Sequence, residues 1–214
     1  MGYNMILRHF LKMVFFILFF FIITSTSFSQ IRLGLNGGID FASYKITNQA
    51  PDATFTNKVG LSIGGIVDYP IIDRLTIRLN VKYNQRGGEN MIPAFGNVQN
   101  KIYFDYIELA PYAIYRVVDS EILAKVMGGI SFGHLVNAKV KSGSNEFGVK
   151  DDFNLSNVTA DFGVEVEMPV LDKISLIANG IYSLGLKNIS KAGAGGEMKT
   201  KDIQICIGIL YNIL

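Results

Sequence analysis

The chain has 214 residues and a formal charge of +2, so no basic field marks it as a nucleic-acid binder. It holds 22 Gly against 5 Pro, is rich in Tyr and Phe, and has one Cys, which excludes an internal disulfide framework and favours β structure over a helical bundle.

Residues 1–29 read as a cleaved signal peptide. Arg8 and Lys12 form a basic start with no acid, Met13 to Ile23 is an uninterrupted apolar run, and Ser27 and Ser29 fit a small-x-small cleavage site. The run is too short to span a bilayer as a helix. No Cys follows it, which argues against a lipid anchor. Removing these residues takes away two cations and no acid, so residues 30–214 carry no net charge. The exported part is expected to be one domain, residues 30–214.

From Ile31 onward the chain alternates between apolar and polar residues with a period of two, the mark of strands with two unlike faces. The first strand, Ile31–Tyr44, sets Leu33, Leu35, Ile39 and Phe41 against Arg32, Asn36 and Asp40. A polar segment, Lys45–Lys58, leads to Val59–Tyr69, and Pro70 to Asp73 reads as a tight turn. Leu75–Gln85 is the cleanest strand: Leu75, Ile77, Leu79, Val81 and Tyr83 alternate with Thr76, Arg78, Asn80, Lys82 and Asn84. It has about the ten residues that a tilted strand needs to cross a bilayer. Gly87–Lys101 reads as a long loop. Tyr103–Arg116 then sets Ile107, Leu109, Ala113 and Tyr115 against Glu108, Tyr112 and Arg116, with Pro111 costing one ladder donor.

A short turn, Val117–Glu121, precedes Ile122–Val136, where Lys125, Gly129, Ser131 and Gly133 form the polar face. A long loop, Asn137–Ser156, precedes Asn157–Met168, whose polar face holds Asp161, Glu165 and Glu167. The short turn Pro169–Lys173 leads to Ile174–Leu186. The last long loop, Lys187–Thr200, leads to Lys201–Asn212, where Ile203, Ile205, Ile207, Ile209 and Tyr211 oppose Gln204, Cys206 and Gly208.

The count is eight strands, with connections alternating long and short. All short turns then lie at one end and all long loops at the other. That pattern describes an all-β, eight-stranded antiparallel up-and-down transmembrane barrel of the bacterial outer membrane. Backbone groups in hydrocarbon require such closure, since an open sheet edge has no water to bond. On this reading the apolar faces meet lipid, and Arg78, Lys82, Glu108, Arg116, Lys125, Asp161, Glu165 and Glu167 form a paired polar network in the lumen. Strand order pairs Lys82 with Glu108, and Lys125 with Glu165 or Glu167. Tyr69, Tyr115 and Tyr211 at the short-turn end, and Phe41, Tyr83 and Phe132 toward the long loops, are candidates for two interfacial girdles. A water-soluble barrel with its apolar face inward, holding an apolar ligand, is the competing arrangement.

Val59–Gly87, reading VGLSIGGIVDYPIIDRLTIRLNVKYNQRG, resembles the PorT-like outer membrane β-barrel family of Bacteroidetes, as does YIELAPYAIYR over Tyr106–Arg116. YSLGLKN over Tyr182–Asn188 is similar to a further stretch of that family. The resemblance implies an eight-stranded barrel in the outer membrane and, through PorT itself, an association with type IX secretion.

Candidate chemical sites are few. His134 is the one histidine after the leader, and Ser131, three residues away, falls on the opposite face of the strand, so no catalytic pair is expected. Gly193–Thr200 lacks the Gly that a phosphate-binding loop needs and is expected to be a flexible outer loop. Asp151–Asn154 lacks the glycine of a calcium loop. An eight-stranded lumen is filled by side chains rather than open. The expected function is therefore a monomeric structural or interaction barrel with outer-membrane lipid around it, and with no pore, catalytic centre, cofactor or metal. The alternatives are a component of a secretion or envelope-assembly complex, and a lipid-modifying barrel enzyme using His134.

Overall fold

The computed structural model describes residues 31–46, 54–92, 98–143, 145–191 and 197–213. The expected signal peptide lies outside the described residues. Among the described residues nine strands follow one another: β1 (Arg32–Ile46), β2 (Thr54–Ile72), β3 (Leu75–Ile92), β4 (Val98–Val118), β5 (Leu123–Ser142), β6 (Asn145–Gly148), β7 (Ser156–Leu171), β8 (Ile174–Gly185) and β9 (Met198–Asn212). A 3-10 turn, Lys150–Asp152, lies between β6 and β7.

Eight of these strands form a closed ring. Each pairs antiparallel with its neighbour in sequence, β5 pairs with β7, and β1 closes the ring on β9. The closing seam is continuous from Arg32 opposite Asn212 to Ile46 opposite Met198. β6 stands outside the ring as a short hairpin folded back on the end of β5, with Lys139 opposite Gly148 and Ser142 opposite Asn145.

The two faces divide as the alternation predicts. Leu35, Ile63, Leu79, Leu109, Phe162, Val164 and Ile207 are exposed on the outer wall, while the residues between them are buried inside. An exposed belt of Leu, Ile, Val and Phe on every wall has hydrocarbon as its solvent. The arrangement with the apolar face inward is thereby overturned. The six girdle residues all point outward, with Tyr115 and Tyr211 near the short turns and Tyr83 and Phe132 at the opposite level.

Several boundaries differ from the sequence reading, and for one reason. Pairing between neighbours continues well past the apolar belt, because a hairpin satisfies its backbone outside the membrane as well as within it. β3 and β4 therefore run through most of the expected loop Gly87–Lys101, with Glu89 opposite Lys101. β2 starts at Thr54 inside the expected polar segment, and β9 takes Met198 to Thr200 from the expected last loop. The tight turn is Asp73-Arg74 rather than Pro70–Asp73; Pro70 still pairs, opposite Thr76, and the register slips just after it. The turn Asp172-Lys173 repeats this geometry after Pro169. Between Asn57 and Ser62 the β2–β3 register slips again. Gly87, on the facing stretch of β3, has a φ of 153°, and a Cβ there would lie 2.0 Å from the Ile102 carbonyl oxygen. The bulge thus requires glycine.

Candidate functional site

Buried charged side chains from most of the strands converge in the interior, and the interior is layered. Nearest the short turns, Arg78 of β3 reaches two carboxylates. Its Nε lies 2.6 Å from Asp68 Oδ1 and its Nη2 2.9 Å from Asp68 Oδ2, while the same guanidinium bonds Glu165 of β7 across the lumen. Arg32 bonds Asp68 at 2.9 Å and Glu167 at 2.7 Å. Lys125 bonds both Glu165 and Glu167. The three cations and three carboxylates form one chain of alternating sign. Arg78, Asp68 and Glu165 are almost wholly buried. Alternation is what permits this, since a buried charge with no partner costs several kcal/mol.

A second layer lies further toward the long loops. Lys82 stands opposite Glu108 in the β3–β4 register, with Nζ 3.4 Å from its carboxylate, and donates to Gln204 Oε1 at 2.8 Å. Gln204 passes the link to Asp40, donating from Nε2 at 3.1 Å. Arg86 lies 3.1 Å from Glu108 and 2.9 Å from Asp202. Beside this layer, Asp161 is held by hydroxyls: Tyr112 donates at 2.9 Å, Thr159 at 2.7 Å, and Ser131 also donates.

The third layer is apolar. Tyr44, Phe104, Tyr106, Leu135 and Ala138 point inward from the outer ends of their strands and pack with Ile189 and Met198. Ile189 comes from the connection after β8 and is completely buried. It is held there by the neighbouring β5–β7 connection. Asn154 N–H donates to the Ile189 carbonyl at 2.8 Å, Lys191 N–H to that of Asp152 at 3.2 Å, and Phe153 bridges to Ser190. Asn154 Nδ2 adds bonds to the carbonyls of Asn188 and Ser190. Phe153 meets Phe104 edge-on, with centroids 4.7 Å apart. Two outer connections are thus stitched into a cap over the interior.

Of the eight residues expected in the lumen network, seven are buried inside the barrel: Arg78, Lys82, Glu108, Lys125, Asp161, Glu165 and Glu167. Lys82 does reach Glu108, and Lys125 reaches both of its expected partners. Arg116 does not join them. It lies at the short-turn rim, donates to the Asp73 carbonyl at 2.6 Å, and pairs with exposed Asp119 at 3.4 Å. It is one of the last residues of β4, so its long side chain reaches the mouth rather than the centre.

Sequence reasoning left out Arg32, Asp40, Asp68, Arg86 and Asp202. All but Arg86 stand on polar faces of the same period within the expected strands, so parity carried the signal. Arg86 was obscured by a strand limit drawn at Gln85, one residue too short. His134 is exposed on the outer face while Ser131 is buried and bonded to Asp161, so the two are not brought together. Asp151 and Asp152 lie in the 3-10 turn, exposed, and no cluster of possible metal ligands occurs among the described residues.

Solved barrels resemble the chain at low identity. The neisserial surface protein A matches with 15% identity and a TM-score of 0.49, over 86% of this chain and 97% of that one. Ail, the attachment invasion locus protein of Yersinia pestis, matches with 12% identity and a TM-score of 0.45, over 85% and 99%. The outer membrane protein W of E. coli matches with 15% identity and a TM-score of 0.44, over 87% and 100%. No curated sequence matches the chain. The model of the family described as outer membrane protein beta-barrel domain matches residues 25–191. A closed eight-stranded ring, an apolar outer wall and that match over most of the length lead to one assignment: the chain belongs to this family of barrels and resides in the outer membrane.

Proposed function

We propose that the protein is a monomeric structural or interaction barrel of the outer membrane, without a conducting pore or a catalytic centre, that presents its capped outer end to the surroundings. The observation that carries this reading is the filled interior. Two layers of interlocked ion pairs and an apolar cap occupy the lumen in succession, and interior residues as large as Arg78, Arg86, Tyr106 and Tyr112 are almost fully buried. Such packing supports a wall that holds its shape beneath the outer connections. Purified protein in planar bilayers is expected to give no unit conductance steps. Regular steps at neutral pH would overturn the closed reading.

The resemblance in Val59–Gly87 and Tyr106–Arg116 supports placing the chain among the PorT-like members of the family, in Bacteroidetes. It also supports a second reading, in which the barrel is a component of a secretion or envelope-assembly complex. Affinity capture from detergent-solubilised outer membranes separates the two. Recovery of the barrel alone favours the monomeric role, and stoichiometric co-recovery of secretion proteins favours the complex. A lipid-modifying activity would require His134 to act. Its replacement by Ala is expected to leave the lipid composition of the outer membrane unchanged.

A further inference from the structure

The outer wall carries one strongly basic sector, where β8, β9 and β1 meet the long-loop end. Lys45 of β1 stands directly opposite Lys199 of β9. Their chain neighbours Tyr44 and Thr200 are buried, so period two turns both lysines outward, together with Lys201. Lys187 follows β8 two residues on and is exposed, bonding Ser156. Like charges directly opposite across a strand pair destabilise it.

Few acids offset them. Among the described residues of this sector, Glu197 alone pairs, 3.4 Å from Lys199 and itself largely exposed. Asp202 on β9 points inward to Arg86. Asp52, between β1 and β2, lies outside the described residues. The other lysine pair of the outer end, Lys101 opposite Lys141, differs in this respect. Glu89 bonds Lys101 at 2.7 Å, and Glu146 stands opposite Lys141 and bonds Lys139 at 2.6 Å.

The depth of the basic sector is informative. Lys201 is two residues from Ile203, which lies on the exposed apolar wall, and its Nζ is 5.7 Å from the Tyr182 ring centroid. Two residues of strand are about 7 Å. The ammonium groups therefore sit where the hydrocarbon belt ends and phosphates of the outer leaflet begin. The surface is a wall continuous with the acyl-binding belt, not a pocket, so a small soluble anion would gain few contacts there.

We propose that Lys45, Lys187, Lys199 and Lys201 form a binding site for the phosphorylated headgroup of an outer-leaflet glycolipid. Its phosphates separate the opposed lysines electrostatically, and its acyl chains lie against Leu184, Ile203 and the wall below.

The test uses the full chain in detergent and a fluorescent lipid A displaced by two probes: lipid A with both phosphates, and dephosphorylated lipid A with the same acyl chains. The wild type is expected to bind the phosphorylated probe at least about tenfold more tightly. The variant Lys45→Gln/Lys187→Gln/Lys199→Gln/Lys201→Gln is expected to lose that preference, while Lys101→Gln/Lys141→Gln keeps it. Heat-dependent gel mobility confirms that each variant is folded. Retention of the preference in the quadruple variant, equal loss in both variants, or displacement of the lipid by millimolar inorganic phosphate would overturn the proposal.

Discussion

Two ion pairs of nearly equal length provide a sharp test of how burial sets energy in this barrel. Arg78 and Asp68 meet at 2.6 Å with side chains 1% and 0% exposed, and Lys101 and Glu89 meet at 2.7 Å with 36% and 20% exposed. Distance alone would make them equivalent. Replacing Asp68 by Asn leaves Arg78 with Glu165, leaves Arg32 with Glu167, and tips the balanced inner chain toward positive charge. Uncompensated buried charge of this kind costs about 3–5 kcal/mol. Arg78→Gln tips the same chain the other way and costs a similar amount. The double variant restores balance, so the two costs should fall short of adding by about 2–3 kcal/mol. The same cycle on Lys101 and Glu89 should give a coupling below about 1 kcal/mol. The assay is reversible urea unfolding from phospholipid vesicles, followed by far-ultraviolet circular dichroism. Equal coupling in the two cycles, or additivity at Arg78–Asp68, would refute the claim that burial keeps water from this pair.

Three further outcomes follow from the geometry. Arginine placed in turn at Leu75, Ile77, Leu79, Val81 and Tyr83 should give a bell-shaped loss of stability, peaking near Leu79 at about 2–4 kcal/mol; a flat profile would refute the assignment of that face to lipid. A Cβ at Gly38 would lie 2.1 Å from the Ile205 carbonyl, whereas at Gly65 nothing lies within 4 Å. Gly38→Ala should therefore cost about 1–3 kcal/mol and Gly65→Ala under about 0.5 in the same unfolding measurement. Ile189→Ala should remove about 2–5 kcal/mol of local stability from the cap, read as faster proteolytic cleavage within 186–197 while the barrel core stays resistant.

The strands were legible because one physical constraint acts on every residue of the wall. Lipid outside and a polar lumen inside impose a period of two that no local propensity can mimic for ten residues. Leu79 and Arg78 could be assigned to opposite faces from the sequence for that reason. The same constraint weakens above the membrane, where both faces meet water. There the alternation fades although pairing continues, which is why Glu89 and Lys101 read as loop residues and Arg86 escaped notice. The cap was not legible at all. Ile189 is one apolar residue in a polar, glycine-bearing stretch, and its burial depends on Asn154 and Asp152 from another connection some 35 residues away. Nothing local marks such a partner.

The placement of charge in this barrel inverts the usual logic of a core, and the inversion explains its layering. A soluble domain gains its stability by moving apolar surface out of water, but here the apolar wall faces a solvent as apolar as itself. Deeper inside, Arg78, Lys82, Arg86 and their carboxylates have no bulk water to return to when neighbours are lost, so those ion pairs are enforced by the absence of an alternative, while Arg32, Lys125 and Glu167 line a cavity of about 260 Å³ at the short-turn mouth. That argument holds only while water is kept out. At the short-turn end, Arg116 already meets Asp119 in the open. At the other end the exclusion falls to Ile189, Phe104 and their neighbours, directly above Arg86 and its carboxylates. The apolar cap and the buried ion pairs are therefore one device: the cap lowers the local dielectric that strengthens the pairs, and the pairs hold the strand walls against which the cap packs.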